Sequence, residues 1–166
     1  MYKRAVVALD GSPVAEAIIP FILEIAGPLD MEVVLVRVNR PIPPEVIEGS
    51  RHVIVEDPET SRVDAEEYLA PVAVELRNKG VRVRTQVRRG QPSEEIVQAA
   101  RDIGADLIAM TTHGRSGLGR LILGSVTESV LRGTMTPVCI VRAPGAPLET
   151  PKGAAAPREK KEVARV

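Results

Sequence analysis

Ala5-Val6-Val7-Ala8-Leu9-Asp10-Gly11-Ser12-Pro13 is the stretch on which the fold turns. An unbroken short apolar run cut off by turn-forming residues fits a strand buried on both faces, the condition of a strand inside a parallel sheet. Ser12 then reads as a helix N-cap, with Pro13 at the first helical position, where its missing N–H leaves nothing unpaired. Val14, Ile18, Phe21, Ile22 and Ile25 follow at helical spacing, and Gly27-Pro28 predicts the stop. Val33 to Val38 is apolar again. Strand, helix and strand in so few residues require a parallel crossover.

The alternation continues along the chain. Ser61 to Lys79 carries a helical stripe through Ala65, Leu69, Val72, Ala73 and Leu76, closed by Gly80. Pro71 inside it predicts a kink, or two helical pieces, near Leu69 to Pro71. Val81 to Val87 alternates apolar and polar residues, as a strand with one wet face at a sheet edge does. Pro92-Ser93-Glu94-Glu95 opens a helix with acids at the positive end of its dipole, and Gly104 ends it. Leu107 to Thr111, Ser125 to Arg132 and Val138 to Val141 predict a strand, a helix and a last strand. The right-handed crossover rule makes this an α/β fold, a doubly wound five-stranded parallel sheet of Rossmann-like type.

Two segments stand outside the alternation. Asn39 to Thr60, with Pro41, Pro43, Pro44 and Pro58 and little periodicity, reads as a long surface loop: either a partner surface or lid, or an insertion without a role. Ala143 to Val166 is rich in Pro, Ala and Gly, then in Lys, Arg and Glu, and reads as a flexible tail behind a domain of residues 1–142.

Composition narrows the partners. The 166 residues suit one domain, and 44% hydrophobic with 27% charged residues is ordinary for a globular chain. Two Tyr, one Phe and no Trp leave no aromatic platform for stacking nucleobases, and 22 basic against 22 acidic residues give no field that recruits polyanions. Nucleic acid is therefore not an expected partner. Nor is a membrane, because no apolar run approaches the roughly 20 residues that cross a bilayer. A single cysteine and an amino terminus without a leader-like apolar segment point to the cytoplasm.

Ligands of doubly wound sheets bind at the carboxyl ends of the strands. There the sequence places Leu9-Asp10-Gly11-Ser12 and the run from Thr111 to Arg120, with Gly114, Gly117 and Gly119, ending at Gly124-Ser125 where a helix opens. Glycines let backbone N–H groups approach a phosphate, and the helix start adds unpaired donors. The outline is an anion cradle, although a surface loop with a helix cap has the same outline. Arg115 and Arg120 are candidates to neutralise phosphate oxygens; the Ser125 and Thr127 hydroxyls are candidates for a phosphate or its metal. Asp10 either accepts hydrogen bonds from a ribose or adenine, or orders a tight turn. There is no Walker loop, and no Gly-x-Gly-x-x-Gly after the first strand.

Catalytic machinery is harder to find. His113 stands beside the phosphate loop without a nucleophile or paired carboxylate, which suits a loop donor better than a base, and His52 lies in the irregular segment. Cys139, mid-strand, reads as a buried small hydrophobe. No zinc-type ligand spacing occurs. An adenylate-forming enzyme would need motifs that are missing here.

Thr111-Thr112-His113-Gly114, nine residues, Gly124-Ser125, then Val126-Thr127-Glu128-Ser129-Val130 and Thr136-Pro137-Val138 make residues 1–142 resemble a universal stress protein domain. The opening Val7-Ala8-Leu9-Asp10-Gly11-Ser12 matches as well. In the ATP-binding branch of that family the signature is Gly, two residues, Gly, nine residues, Gly, then Ser or Thr; Thr111 replaces its first glycine. The resemblance implies an adenine nucleotide alpha-hydrolase-like sheet of order 3-2-1-4-5. It also implies a site formed by Leu9, Asp10, Val38, Thr111, His113, Gly114, Arg115, Gly117, Gly124, Ser125, Val126 and Thr127. Asp10 and the backbone at Val38 would hold the adenosine; Gly114, Arg115, Gly124, Ser125 and Val126 would hold the phosphates. The implied ligand is ATP, ADP or AMP, with Mg²⁺ or Mn²⁺ carried by the phosphates and within reach of Ser125. The implied role is a stress-response regulatory module with at most slow ATP hydrolysis, assembled as a homodimer through residues 138–141. The alternative it leaves open is a dimeric scaffold of the same fold that binds no nucleotide.

Overall fold

A computed structural model describes residues 2–41, 57–112 and 124–142. Five strands, β1 (Arg4–Ala8), β2 (Glu32–Asn39), β3 (Arg82–Arg89), β4 (Leu107–Thr112) and β5 (Val138–Arg142), form one parallel sheet in the order β3-β2-β1-β4-β5. Val7 of β1 sits between Leu35 and Ala109, so the most apolar strands occupy the middle and the alternating strand β3 an edge. The strand order reverses between β1 and β4.

The helices are α1 (Ile19–Ala26), α2 (Pro58–Asn78), α3 (Pro92–Ile103) and α4 (Ser125–Gly133). Because side chains alternate across a strand, each strand feeds two cores. On one face Val7, Leu35 and Ala109 pack with Ile18, Ile22, Leu69 and Leu76 of the α1 and α2 side. On the other, Val6, Val36, Ile108 and Met110 pack with Ile96, Ala100 and Val130 of α3 and α4. Burying each such aliphatic side chain stabilises the fold by about 1.5–3 kcal/mol. Both layers are thus sealed by Val, Ile, Leu, Met and Ala with almost no aromatic contribution.

Three local expectations are corrected. The first helix does not run from Pro13: a 3-10 turn occupies Ala15–Ile18, and the α-helix starts at Ile19. Pro20 is the reason. It has no N–H to donate to Glu16, so a continuous α-helix would lose that bond, whereas a helix restarted here has Pro20 in its first turn, where no donor is required. The Ser12 hydroxyl still accepts a hydrogen bond from the Ala15 N–H at 3.1 Å.

Second, of the two alternatives at Pro71, a kink or two helical pieces, the two pieces do not occur, since α2 is one helix. Pro71 lies on its exposed side, so the carbonyl of Glu67 that loses its partner faces water. Third, α2 starts at Pro58, before Ser61, because Asp57 caps it, its carboxylate accepting the Glu59 N–H at 3.1 Å. The irregular segment is correspondingly shorter; residues 42–56 and the tail 143–166 lie outside the described residues.

Gly104 ends α3 with φ 60°, a left-handed turn that glycine adopts without a Cβ penalty. Beyond it Asp106 ties the start of β4 to β1: its carboxylate accepts the backbone N–H groups of Lys3 at 2.7 Å and Arg4 at 3.0 Å.

Candidate functional site

At the carboxyl edge, where β1 and β4 diverge at the reversal of strand order, a cleft of about 510 Å³ opens, within the usual size of a small-molecule site. Four elements supply its walls. The end of β1 gives Ala8, Leu9 and Asp10; β2 gives Val36, Val38 and Arg40 just beyond it; β4 gives Met110 and Thr111; and the first turn of α4 gives Gly124, Ser125, Val126 and Thr127. Ala15 of the 3-10 turn closes one side, and Pro92 and Ile96 of α3 the other.

The two ends of the cleft differ in chemistry. Over β2 and α3 the lining is aliphatic apart from Arg40. At α4 it is a helix start: Gly124 precedes the helix, no side chain caps it, and the amides of the first turn have no partner within the helix. Such a terminus carries a partial positive charge of about half a unit and favours an anion. Gly124 also leaves room, since a Cβ there would meet nothing within 4 Å among the described residues. From β2 to β4 the cleft spans two strand spacings, about 9–10 Å, the scale of a nucleoside.

Leu9, Asp10, Val38, Thr111, Gly124, Ser125, Val126 and Thr127, singled out from the sequence, therefore line one cleft. His113, Gly114, Arg115 and Gly117 lie outside the described residues, as does Arg120. The sequence reading missed Arg40, Pro92, Ile96, Met110, Val36, Ala8 and Ala15. Arg40 was within reach of it, because Val36, Val38 and Arg40 follow one another at the two-residue period of a strand. Pro92 and Ile96 were not, because only the crossover of α3 over the sheet carries them there.

The turn-ordering reading of Asp10 has an observed bond behind it. One carboxylate oxygen accepts the Ser12 N–H at 2.9 Å and orders the turn, while the residue stays exposed on the cleft. Gly11 in that turn has φ +89°, a conformation that side-chain-bearing residues rarely adopt. Thr111 has a structural task that a glycine could not perform. Its buried hydroxyl donates to the Ala15 carbonyl at 3.0 Å, fastening the 3-10 turn to β4 beneath the cleft.

Among the described residues no group of three or more His, Cys, Asp or Glu is placed to hold a metal ion. Cys139 is half-buried, not fully buried, and its thiol is pushed up by burial, away from thiolate reactivity. No described helix is long and apolar enough to cross a membrane.

Comparison with known proteins agrees with this architecture. Universal stress protein MJ0531 of Methanocaldococcus jannaschii is 35% identical over 146 residues, covering 87% of this chain and 84% of that protein. The solved structure of MJ0577, from the same organism, superposes with a TM-score of 0.64 at 28% identity, over 86% of this chain and 96% of the other. That of a universal stress protein from Archaeoglobus fulgidus in complex with dAMP gives 0.62 at 22% identity, over 84% and 97%. A sequence model described as the universal stress protein family matches residues 1–142, and this chain belongs to that family.

Proposed function

We propose that the chain binds an adenine nucleotide, ATP, ADP or AMP, in the cleft at the β1/β4 divergence. The observation that carries this reading is the bare start of α4 opening, across Gly124, into a cleft whose far end is aliphatic apart from Arg40. One end suits phosphate and the other a flat, weakly polar base. Asp10, at the end of β1 between them, suits ribose hydroxyls. The dAMP complex of a protein with this fold supports the same reading at the level of the fold.

In this assignment the amides of Ser125, Val126 and Thr127 hold phosphate oxygens, the Ser125 hydroxyl lies within reach of a cation, and Val38 and Leu9 flank the adenosine. His113, Gly114, Arg115 and Gly117 complete the phosphate loop. Mg²⁺ or Mn²⁺ would arrive with the phosphates and neutralise their charge.

Calorimetry on nucleotide-free protein with ATP, ADP and AMP, with and without Mg²⁺, tests the reading. Saturable heat with a one-to-one end point is expected, and no heat with any of the three would overturn it.

The proposal extends to assembly as a homodimer through β5. That strand is a sheet edge, all five of its residues are only half-buried, and Met135 just before it is fully exposed. An apolar edge of this kind needs cover. Light scattering at micromolar concentration should give twice the 17.9 kDa chain mass, and a monomer would refute the pairing.

A further inference from the structure

Behind the Asp10-Gly11 turn, on the face away from α3, lies a polar assembly inside an otherwise aliphatic layer. The Tyr68 hydroxyl of α2 donates to a Glu16 carboxylate oxygen at 2.9 Å. Arg37 of β2 lies with its Cζ 5.0 Å from the centre of the Tyr68 ring. The same guanidinium lies flat on the turn: a Cβ added to Gly11 would stand 3.2 Å from its Cζ, 3.2 Å from Nη2 and 3.3 Å from Nη1, three nearly equal distances. Arg37 thus lies tight against the place a Gly11 side chain would take and rests on Tyr68. Burial, with Glu16 and Asp10 adding to it, holds the Tyr68 hydroxyl protonated well above its ordinary range, so the donor is permanent.

We propose that the stack of Tyr68, Arg37 and Gly11 fixes the turn that presents Asp10 to the cleft, and so sets the affinity of the cleft for the sugar end of its nucleotide. The inference rests on the nucleotide reading above. Arg37 and Tyr68 are positioning residues: neither lines the cleft, and both act through the Asp10 turn. Gly11 is the most permissive residue of that turn. On either side of it the Asp10 carboxylate accepts the Ser12 N–H and the Ser12 hydroxyl accepts the Ala15 N–H, bonds that shape the turn from within. A planar cation pressed on Gly11 from behind ties the turn to β2 and α2 as well, and its resting on an aromatic face is a favourable cation–π contact.

The test compares three probes on the full chain: adenosine, AMP and inorganic tripolyphosphate with Mg²⁺. Tyr68→Leu should weaken adenosine and AMP by about tenfold, the scale of one such contact, and leave tripolyphosphate within about twofold. Tyr68→Phe, which keeps the ring under Arg37, should restore most of the affinity. Arg37→Gln should reproduce the loss without touching α2, which guards against Tyr68→Leu failing to fold.

Unchanged adenosine affinity in both Tyr68→Leu and Arg37→Gln overturns the inference. So does an equal loss for tripolyphosphate, or a Tyr68→Phe protein as weak as Tyr68→Leu. A wild-type protein that binds none of the adenine ligands overturns the nucleotide reading itself, and the wild-type titration separates that failure from the others.

Discussion

Gly124 has no side chain, and nothing described lies within 4 Å of where its Cβ would stand, so a side chain there enters the cleft and not the core. Gly124→Val should therefore lower adenine-nucleotide affinity at least about tenfold, or ~1.4 kcal/mol, while changing the unfolding free energy by about 1 kcal/mol or less. Calorimetry and urea unfolding on the same preparation check both halves. Thr111 behaves oppositely. Its hydroxyl satisfies the Ala15 carbonyl in a buried position, so Thr111→Val leaves that acceptor without its donor and should destabilise the fold by about 1–3 kcal/mol in urea unfolding. The glycine that the family signature places at this position would lose the same bond. Its replacement by threonine is thus accounted for by a fastening inside the fold, without reference to what the cleft holds.

At the scale of the element, prolines decide how the helices run. Pro20 sits in the first turn of α1, where its lack of a donor is harmless, and the 3-10 turn before it absorbs the mismatch. Pro71 has no such shelter: it lies inside α2, on the wet side, and α2 persists because Ala65, Leu69, Ala73 and Leu76 bury one face against the sheet. Tertiary packing outweighs a local penalty of about 3 kcal/mol relative to alanine. Pro71→Ala should then stabilise the protein by about 1–3 kcal/mol, read as a higher urea midpoint, since it restores a backbone donor without disturbing a contact. A lower midpoint would mean that Pro71 makes a favourable contact of its own.

For the whole molecule, the seams between layers are held by polar groups. Backbone N–H bonds from Lys3 and Arg4 keep the Asp106 carboxyl below its ordinary value of 3.8. The Gln98 amide, and after it Arg88, does the same for Asp102. A carboxyl with a depressed folded-state pKa contributes stability that is present above the unfolded value and is lost as pH falls through the folded one. Stability should accordingly decline below about pH 3.8, and Asp106→Asn should flatten part of that decline when urea midpoints at about pH 5 and pH 3 are compared. An unaltered slope in the variant would remove Asp106 from the account.

The sequence by itself determined the framework. Runs such as Ala5 to Leu9 and Leu107 to Thr111 fit strands buried on both faces, and the alternating run before Arg89 fits an edge. It also marked Leu9, Asp10, Gly124 and Ser125, which line one cleft, since the turn after β1 and the start of α4 are local features written in adjacent residues. Only the tertiary structure decided that Pro92 and Ile96 share the cleft with them, that Thr111 bonds to Ala15, and that Arg37 lies between Tyr68 and Gly11. Those pairs are far apart in the chain, and no local preference encodes them. They follow from the packing of helices across the sheet, where side chains separated by tens of residues are brought to within a few ångströms.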